Sequence, residues 1–328
     1  MPSSPTTKAA AAFVCDCTER MRSACDGLPF YKKREGKRYC VLHYPGEDKS
    51  ADFDEALQRK LEAEDFDFRG VWLPDEVDFR ERIFAGPVIF DYATFNALAS
   101  FDYATFSAKT SFAFATFRAL ASFIYATFSE QVCFDAATFS AGANFRGVAF
   151  DAGAGFISTT FSARASFDSA TFSARASFNS ATFSAGADFQ HARFRAGASF
   201  FYTTFSAEAS FRQATFRAEV NFGSATFKDY VRFAGRDEVP VFGDESSLKL
   251  QFARIEKPER FSFHTLTLSP HWFVNVDARK FEFINVKWNW YGRQIRRKLG
   301  DLRGENALPS YHLMEIACRN LALNAEEN

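Results

Sequence analysis

No stretch of this chain approaches the roughly 18 consecutive apolar residues that a membrane-spanning helix needs. Neither sign of charge dominates: the formal net charge is −1. That balance excludes general attraction to nucleic acid or to an acidic membrane surface. The five histidines (His43, His191, His264, His271, His312) are scattered. No Gly-rich phosphate loop or nucleophile motif accompanies them, so the expectation is that the chain is not an enzyme. The apolar part of Met1–Phe13 is too short for a signal peptide, and Ala-Phe-Val-Cys is a poor lipoprotein cleavage site. Six cysteines, four of them near one end, do not make a secreted disulfide framework. The chain therefore reads as reduced and cytoplasmic.

What the chain has in excess is phenylalanine, 43 of its 328 residues. From Phe79 to Phe233 it recurs at alternating intervals of five and six residues without a miss, fourteen units of eleven. An α-helix cannot keep that period on one face, because 5.5 residues is about one and a half turns. A flat strand alternates every two residues and cannot keep it either. A chain that bends at each interval and coils so that equivalent positions stack does fit. Two residues before nearly every Phe stands a small or β-branched residue: Ala93, Ala99, Ala104, Thr110, Ala115, Ala121, Ala126, Val132. Period-two alternation puts that residue and the ring inside, and the polar Thr105, Ser107, Ser166 and Asp168 outside. With four faces per coil the repeat is 22 residues, and Phe106 stacks on Phe128. Seven such coils extend about 34 Å at the usual strand spacing. Gly142, Gly153, Gly186 and Gly197 are expected at bends that need unusual backbone angles.

The A-x-F-x-x pattern, as in Ala104-Thr105-Phe106-Ser107-Ala108, resembles the pentapeptide-repeat family, and the 5/6 alternation resembles its Phe-rich variant. The resemblance implies an all-β solenoid, a right-handed quadrilateral β-helix. Some members bind DNA gyrase by imitating duplex DNA, which makes a gyrase inhibitor the alternative function. Such a mimic needs a strongly negative surface, whereas residues 79–233 carry 13 Lys/Arg against 11 Asp/Glu. The C-terminal Arg319–Asn328 is similar to a section of longer bacterial pentapeptide-repeat proteins that continues into membrane segments. That likeness implies a second alternative, the regulatory part of a longer membrane protein.

The flanks complete the expected organisation. Residues 1–14 are a disordered arm and 15–50 a small Cys/His head. A capping helix follows at 51–65, with Asp52 as N-cap and Phe53, Ala56, Leu57 and Leu61 on its inner side. The regular β-helix occupies 66–233. Degenerate terminal coils with insertions occupy 234–290, with Leu250/Phe252, Phe261/Phe263, Leu266/Leu268 and Phe281/Phe283 inward. Trp272, Trp288 and Trp290 are expected to pack there. A helical C-terminal segment at 291–328 places Leu313, Ile316, Ala317 and Leu321 on one side from Pro309 onward.

Metal-ligand spacing occurs at one place: Cys15-x-Cys17, Cys25 and Cys40-x-x-His43. Three of these cysteines with His43 make a Cys3His zinc set, which is structural because four protein ligands leave no open position. The other reading is free thiols on an arm; spacing leaves open which of Cys15 and Cys17 would ligate. A candidate partner surface lies in the outward apolar residues Tyr92, Tyr103, Phe114 and Tyr125, with Leu98 and Leu120, since exposed apolar patches mark contact sites. The function expected is a non-enzymatic scaffold that presents a rigid surface to an unidentified protein partner. No nucleic acid and no membrane insertion by this chain are expected, and a terminal segment is the expected route to a homodimer.

Overall fold

The computed structural model describes residues 13–25, 27–236, 240–289 and 316–325. Two-residue strands such as Ala99–Ser100 and Thr105–Phe106 recur along the chain and assemble into four parallel sheets, each running the length of the rod. Successive strands fall on successive walls, so a strand pairs with those one coil away: Thr127 and Phe128 register with Thr105 and Phe106. The offset is 22 residues, as the Phe spacing requires. Each wall is stitched by backbone hydrogen bonds, for example Phe101 N–H to Ser122 C=O at 2.7 Å and Thr105 N–H to Arg82 C=O at 2.9 Å.

The rings fill the interior in four columns. Phe101 stacks on Phe123 with centroids 4.8 Å apart and planes 3° from parallel, and Phe106 on Phe128 at 4.6 Å and 8°. Between columns the rings meet edge to face, as Phe101 and Phe112 do at 5.5 Å and 82°. Both arrangements suit the ring quadrupole. The small inward partners, Ala99 and Ala104 among them, are fully buried beside the rings.

The 5/6 alternation corresponds to two kinds of corner. At five-residue corners a turn closes, as Ala104 N–H bonds Phe101 C=O at 3.1 Å, and Tyr103 between them has φ +59°. A left-handed residue recurs there every eleven positions from Glu81 to Ser224. Gly142, Gly153, Gly186 and Gly197 correct the expectation made for them: they sit at six-residue corners with ordinary φ. Clearance matters at one of them. A Cβ on Gly142 would stand 3.2 Å from Leu120 Cδ1, whereas one on Gly197 would make an ordinary contact, 3.6 Å from the Glu219 carbonyl.

Helix α1, Ser50–Glu62, lies at the N-terminal end with Phe53, Ala56, Leu57 and Leu61 buried. Its N-cap is Lys49; Asp52 sits in the first turn and makes no cap. At the other end, Leu248 and Leu250 point inward, while Phe252 occupies a left-handed corner (φ +60°) and is 73% exposed, contrary to the inward placement expected of it. The insertion Pro270–Phe273 folds back as a short 3-10 helix that buries Trp272 and Phe273. Trp288 packs on Phe283 at 5.3 Å. Residues 316–325 are helical. Their buried side carries Ala317, Leu321 and Asn324, and Ile316 is exposed rather than inward. Asn324 Nδ2 donates to the carbonyls of Ala278, Arg279 and Phe281 at 3.1, 2.8 and 2.7 Å. Residues 1–12 of the arm, Trp290, Pro309 and Leu313 lie outside the described residues. Among the described residues no helix is long and apolar enough to cross a membrane.

Candidate functional site

In the head, Lys32–Arg34 (β1) and Lys37–Tyr39 (β2) form an antiparallel hairpin whose turn holds Glu35 and Gly36 at φ +50° and +78°. The segment carrying Cys15 and Cys17 runs beside it, joined by Asp16 N–H to Arg38 C=O at 2.8 Å and Arg38 N–H to Asp16 Oδ2 at 2.7 Å. The 3-10 helix Glu19–Cys25 brings in Cys25. After β2 the chain makes one tight turn, closed by Tyr44 N–H to Cys40 C=O at 3.0 Å, which sets Cys40 and His43 on one side.

These elements bring all five expected ligands to one place. Ligand atoms of Cys15, Cys17, Cys25 and His43 lie within 4.8 Å of one another. Cys40 falls outside that tightest group, yet its Sγ is 3.4 Å from His43 Nδ1, and Cys15 Sγ is 3.8 Å from the same nitrogen. A tetrahedral zinc with bonds of about 2.3 Å to sulfur and about 2.0 Å to nitrogen separates those ligand atoms by about 3.5 Å. The two distances bracket that edge, so Cys40 counts with the others. His43 is oriented by its far nitrogen: Nε2 donates to the Arg69 carbonyl at 2.7 Å, which turns Nδ1 toward the sulfurs. Metal-binding imidazoles are commonly held this way. Cys15, Cys25, Cys40 and His43 are buried and Cys17 is partly exposed.

The electrostatics of the cluster are those of shared protons. Hydrogen bonds from Cys17, Cys25 and Cys40 lower the Cys15 thiol, and the same contacts with Cys15, Cys17 and Cys40 raise Cys25. Burial opposes charge on His43, but its hydrogen bonds with Cys15, Cys17 and Cys40 outweigh burial and push the ring up to about 12. Metal ligation replaces such protons, because thiolate and neutral imidazole are the binding forms. The Cys/His cluster is thus able to hold a metal ion.

Sequence reasoning missed Lys49. Its side chain is 2% exposed, and Nζ donates to the Val41 and Leu42 carbonyls at 2.6 and 3.0 Å, inside the Cys40–His43 turn. Nothing in the spacing of the cluster marks it, because a lysine beside Asp48 and Ser50 reads as solvent-exposed.

The expected partner surface divides. Tyr92 stacks on Phe114 at 4.8 Å and 4°, and Tyr103 on Tyr125 at 5.4 Å and 28°. Tyr92 falls after the wall strand Val88–Ile89 and Tyr103 after Ala99–Ser100, two walls further on, so the two columns occupy diagonally opposite corners. Leu98 and Leu120 lie on the corner between them. Tyr103, Phe114, Tyr125 and Leu120 are 56, 51, 46 and 44% exposed; Tyr92 and Leu98 are half-buried. All four aromatic residues have φ between +55° and +60°, a region that bulky side chains rarely adopt. The hydrogen-bonding role of the Asp that follows a ring at such corners also went unread, although Asp168 was placed outside. Asp102 Oδ1 accepts Ser122 Oγ at 2.5 Å and the Ile124 N–H at 2.9 Å, and Asp135 and Asn179 take the corresponding N–H groups of Ile157 and Phe201. The repeated Phe-Asp or Phe-Asn dipeptide was the available signal.

No curated protein matches the chain. A solved structure of QnrB1, a plasmid-mediated fluoroquinolone resistance protein, is similar over 70% of this chain and 95% of its own, at 14% identity and a TM-score of 0.24. Residues 156–204 match the family model described as pentapeptide repeats in nine copies. The matched stretch is thus similar to pentapeptide repeats, and it lies within a four-sided β-solenoid.

Proposed function

We propose that this chain is a non-enzymatic interaction module of the cytoplasm, which offers one wall of a rigid solenoid to a protein partner and carries a structural zinc in its head. The observation behind the partner reading is the outward column of Tyr103 and Tyr125, held at left-handed corners and flanked across the same wall by Leu98 and Leu120. Large side chains at such φ values cost on the order of 1 kcal/mol each. Neighbouring polar side chains tie one coil to the next, as Asp102 does with Ser122 and the Ile124 N–H, whereas Tyr103 and Tyr125 stack outside the core and stay about half exposed, which suits recognition. The backbone is ordered before binding, which lowers the entropic cost of association. The near balance of charge along the ladder speaks against duplex mimicry, and the expected result of a supercoiling assay is unimpeded gyrase.

A photoreactive side chain at position 103, compared with one at 173 on a different corner, tests the surface. The expected result is one defined cross-linked protein from 103 alone, abolished by Tyr125→Ser with Leu120→Ser while the melting temperature holds. Equal yield from 103 and 173 would sink the proposal. Metal analysis of the purified protein tests the zinc: about one equivalent is expected, and none leaves the head as a cluster of free thiols.

A further inference from the structure

We infer that Lys49 is a positioning residue of the metal site, a buried cation that balances a zinc complex of three thiolates and His43 and leaves one of the four head cysteines outside the donor set. The inference rests on the zinc reading above.

An ammonium group inside a protein is costly unless a negative partner compensates it. Three other basic side chains around the head find one: Lys32 pairs with Asp48, Arg38 with Asp16 and Lys60 with Asp65. Lys49 meets no carboxylate among the described residues. It sits over the Phe53 ring at 4.6 Å and gives its protons to two carbonyls. Those carbonyls belong to Val41 and Leu42, the two residues that separate Cys40 from His43. Long lysine stems ordinarily carry their charge out to water, and Lys49 stands at the start of α1, where exposure would be easy.

An anionic metal complex supplies the missing partner. Zinc with three thiolates and a neutral imidazole carries one net negative charge, which one ammonium cancels. Zinc with all four thiolates carries two, and a charge then remains uncompensated inside the head. Neutrality therefore selects three sulfurs and His43, whose Nδ1 is already aimed at them. The lysine also braces the turn between two ligands, so it acts on the site through geometry and through charge.

The test uses the full-length chain with Zn2+ or Co2+ alone. Zinc affinity, measured by competition with a chromophoric chelator, is expected to fall between about 10- and 100-fold in both Lys49→Met and Lys49→Gln, a usual size for outer-sphere partners. Gln keeps a donor for the carbonyls and removes the charge. The sulfur-to-cobalt charge-transfer band is expected to move to lower energy in both, because thiolates without the nearby cation are easier to oxidise. Among single Cys→Ser changes at 15, 17, 25 and 40, three should weaken binding and one should not. Wild-type affinity in Lys49→Met with an intact solenoid overturns the inference, and wild-type affinity in Lys49→Gln overturns the role of charge. Loss of binding in all four serine variants overturns the three-thiolate set. A wild-type protein that takes up no zinc fails the underlying reading itself, a result distinct from a zinc protein indifferent to Lys49.

Discussion

Phe145 lies near the middle of the ladder and is fully buried. It stacks on Phe123 at 5.0 Å and on Phe167 at 4.8 Å, and meets Phe134, Phe139 and Phe156 edge-on at 5.4, 5.8 and 5.6 Å. Truncation to alanine loses the transfer energy of the ring and leaves a cavity, together about 3–5 kcal/mol. Ring pairs add about 0.5–1.5 kcal/mol each beyond burial, and the stacked columns above and below cannot collapse without breaking the wall hydrogen bonds. The expected cost of Phe145→Ala is therefore about 5 kcal/mol, and that of Phe145→Leu about 1–2 kcal/mol, since Leu refills most of the volume. Urea unfolding followed by far-UV circular dichroism gives both values. Hydrogen exchange adds location, because a solenoid is held by nearest-neighbour terms. The Phe123 and Phe145 amides, bonded to Asn144 and Ser166 at 2.8 and 2.7 Å, should lose protection; the Phe79 amide, bonded to Ser100 at 2.8 Å, should keep more of it. An Ala variant that costs less than about 2 kcal/mol, or a Leu variant as damaging as Ala, refutes the view of the ladder as a close-packed core.

Thr159 replaces the usual inward Ala and donates its hydroxyl to the Phe134 carbonyl at 2.8 Å. Thr159→Val should cost about 1 kcal/mol, read as a lower urea midpoint; a stabilised variant would contradict that bond's role. Asn324→Ala removes the side-chain donor to the Arg279 and Phe281 carbonyls, while the Ala278 carbonyl keeps the Phe281 N–H at 3.1 Å. It should loosen residues 316–325 by about 2 kcal/mol, seen as faster trypsin cleavage after Arg279, and unchanged cleavage argues against a clasp. Hydrogen bonds from the Arg80 side chain, then its backbone, hold the Asp78 carboxyl down at about 2. A depressed folded value means stabilisation that is present above the usual carboxylate range of about 3.9 and fades as pH falls toward 2. Both groups are largely exposed, so Asp78→Asn should flatten that stretch of the acid titration by less than about 1 kcal/mol. A larger change would mean that the pair is coupled to the first coil.

The core was legible because its signal is one residue type at an unvarying interval. Phe79 to Phe233, their small partners and the 22-residue register all follow from that period, and the stacked pairs Phe106 and Phe128 stand where it puts them. The corners were legible only in part. Glycine usually marks left-handed backbone, so Gly142 and its relatives drew attention, while Tyr103 and Phe114 in fact occupy the left-handed positions. Propensity did not reveal this because the stacked walls hold the corner geometry whatever side chain stands there. At the degenerate end the period lapses, and Phe252 was read as inward when Leu248 and Leu250 fill that place.

The sequence by itself determined the coil: a strict 5/6 interval admits one way of stacking rings inward, and local chemistry needs no distant information to impose it. Only the tertiary structure decided what the coil carries outside. Which wall holds Leu120 and Tyr125 together, and that Tyr92 lies diagonally across from Tyr103, depends on how many walls separate them. The head is more dependent still. Cys15, Cys25, Cys40 and His43 converge through a hairpin, a 3-10 turn and a carbonyl of the first coil, Arg69, that lies 26 residues beyond the histidine. Lys49 becomes a buried cation only because α1 and the Cys40–His43 turn close over it. Periodicity is a property of the chain, whereas burial and charge balance are properties of what the chain folds against.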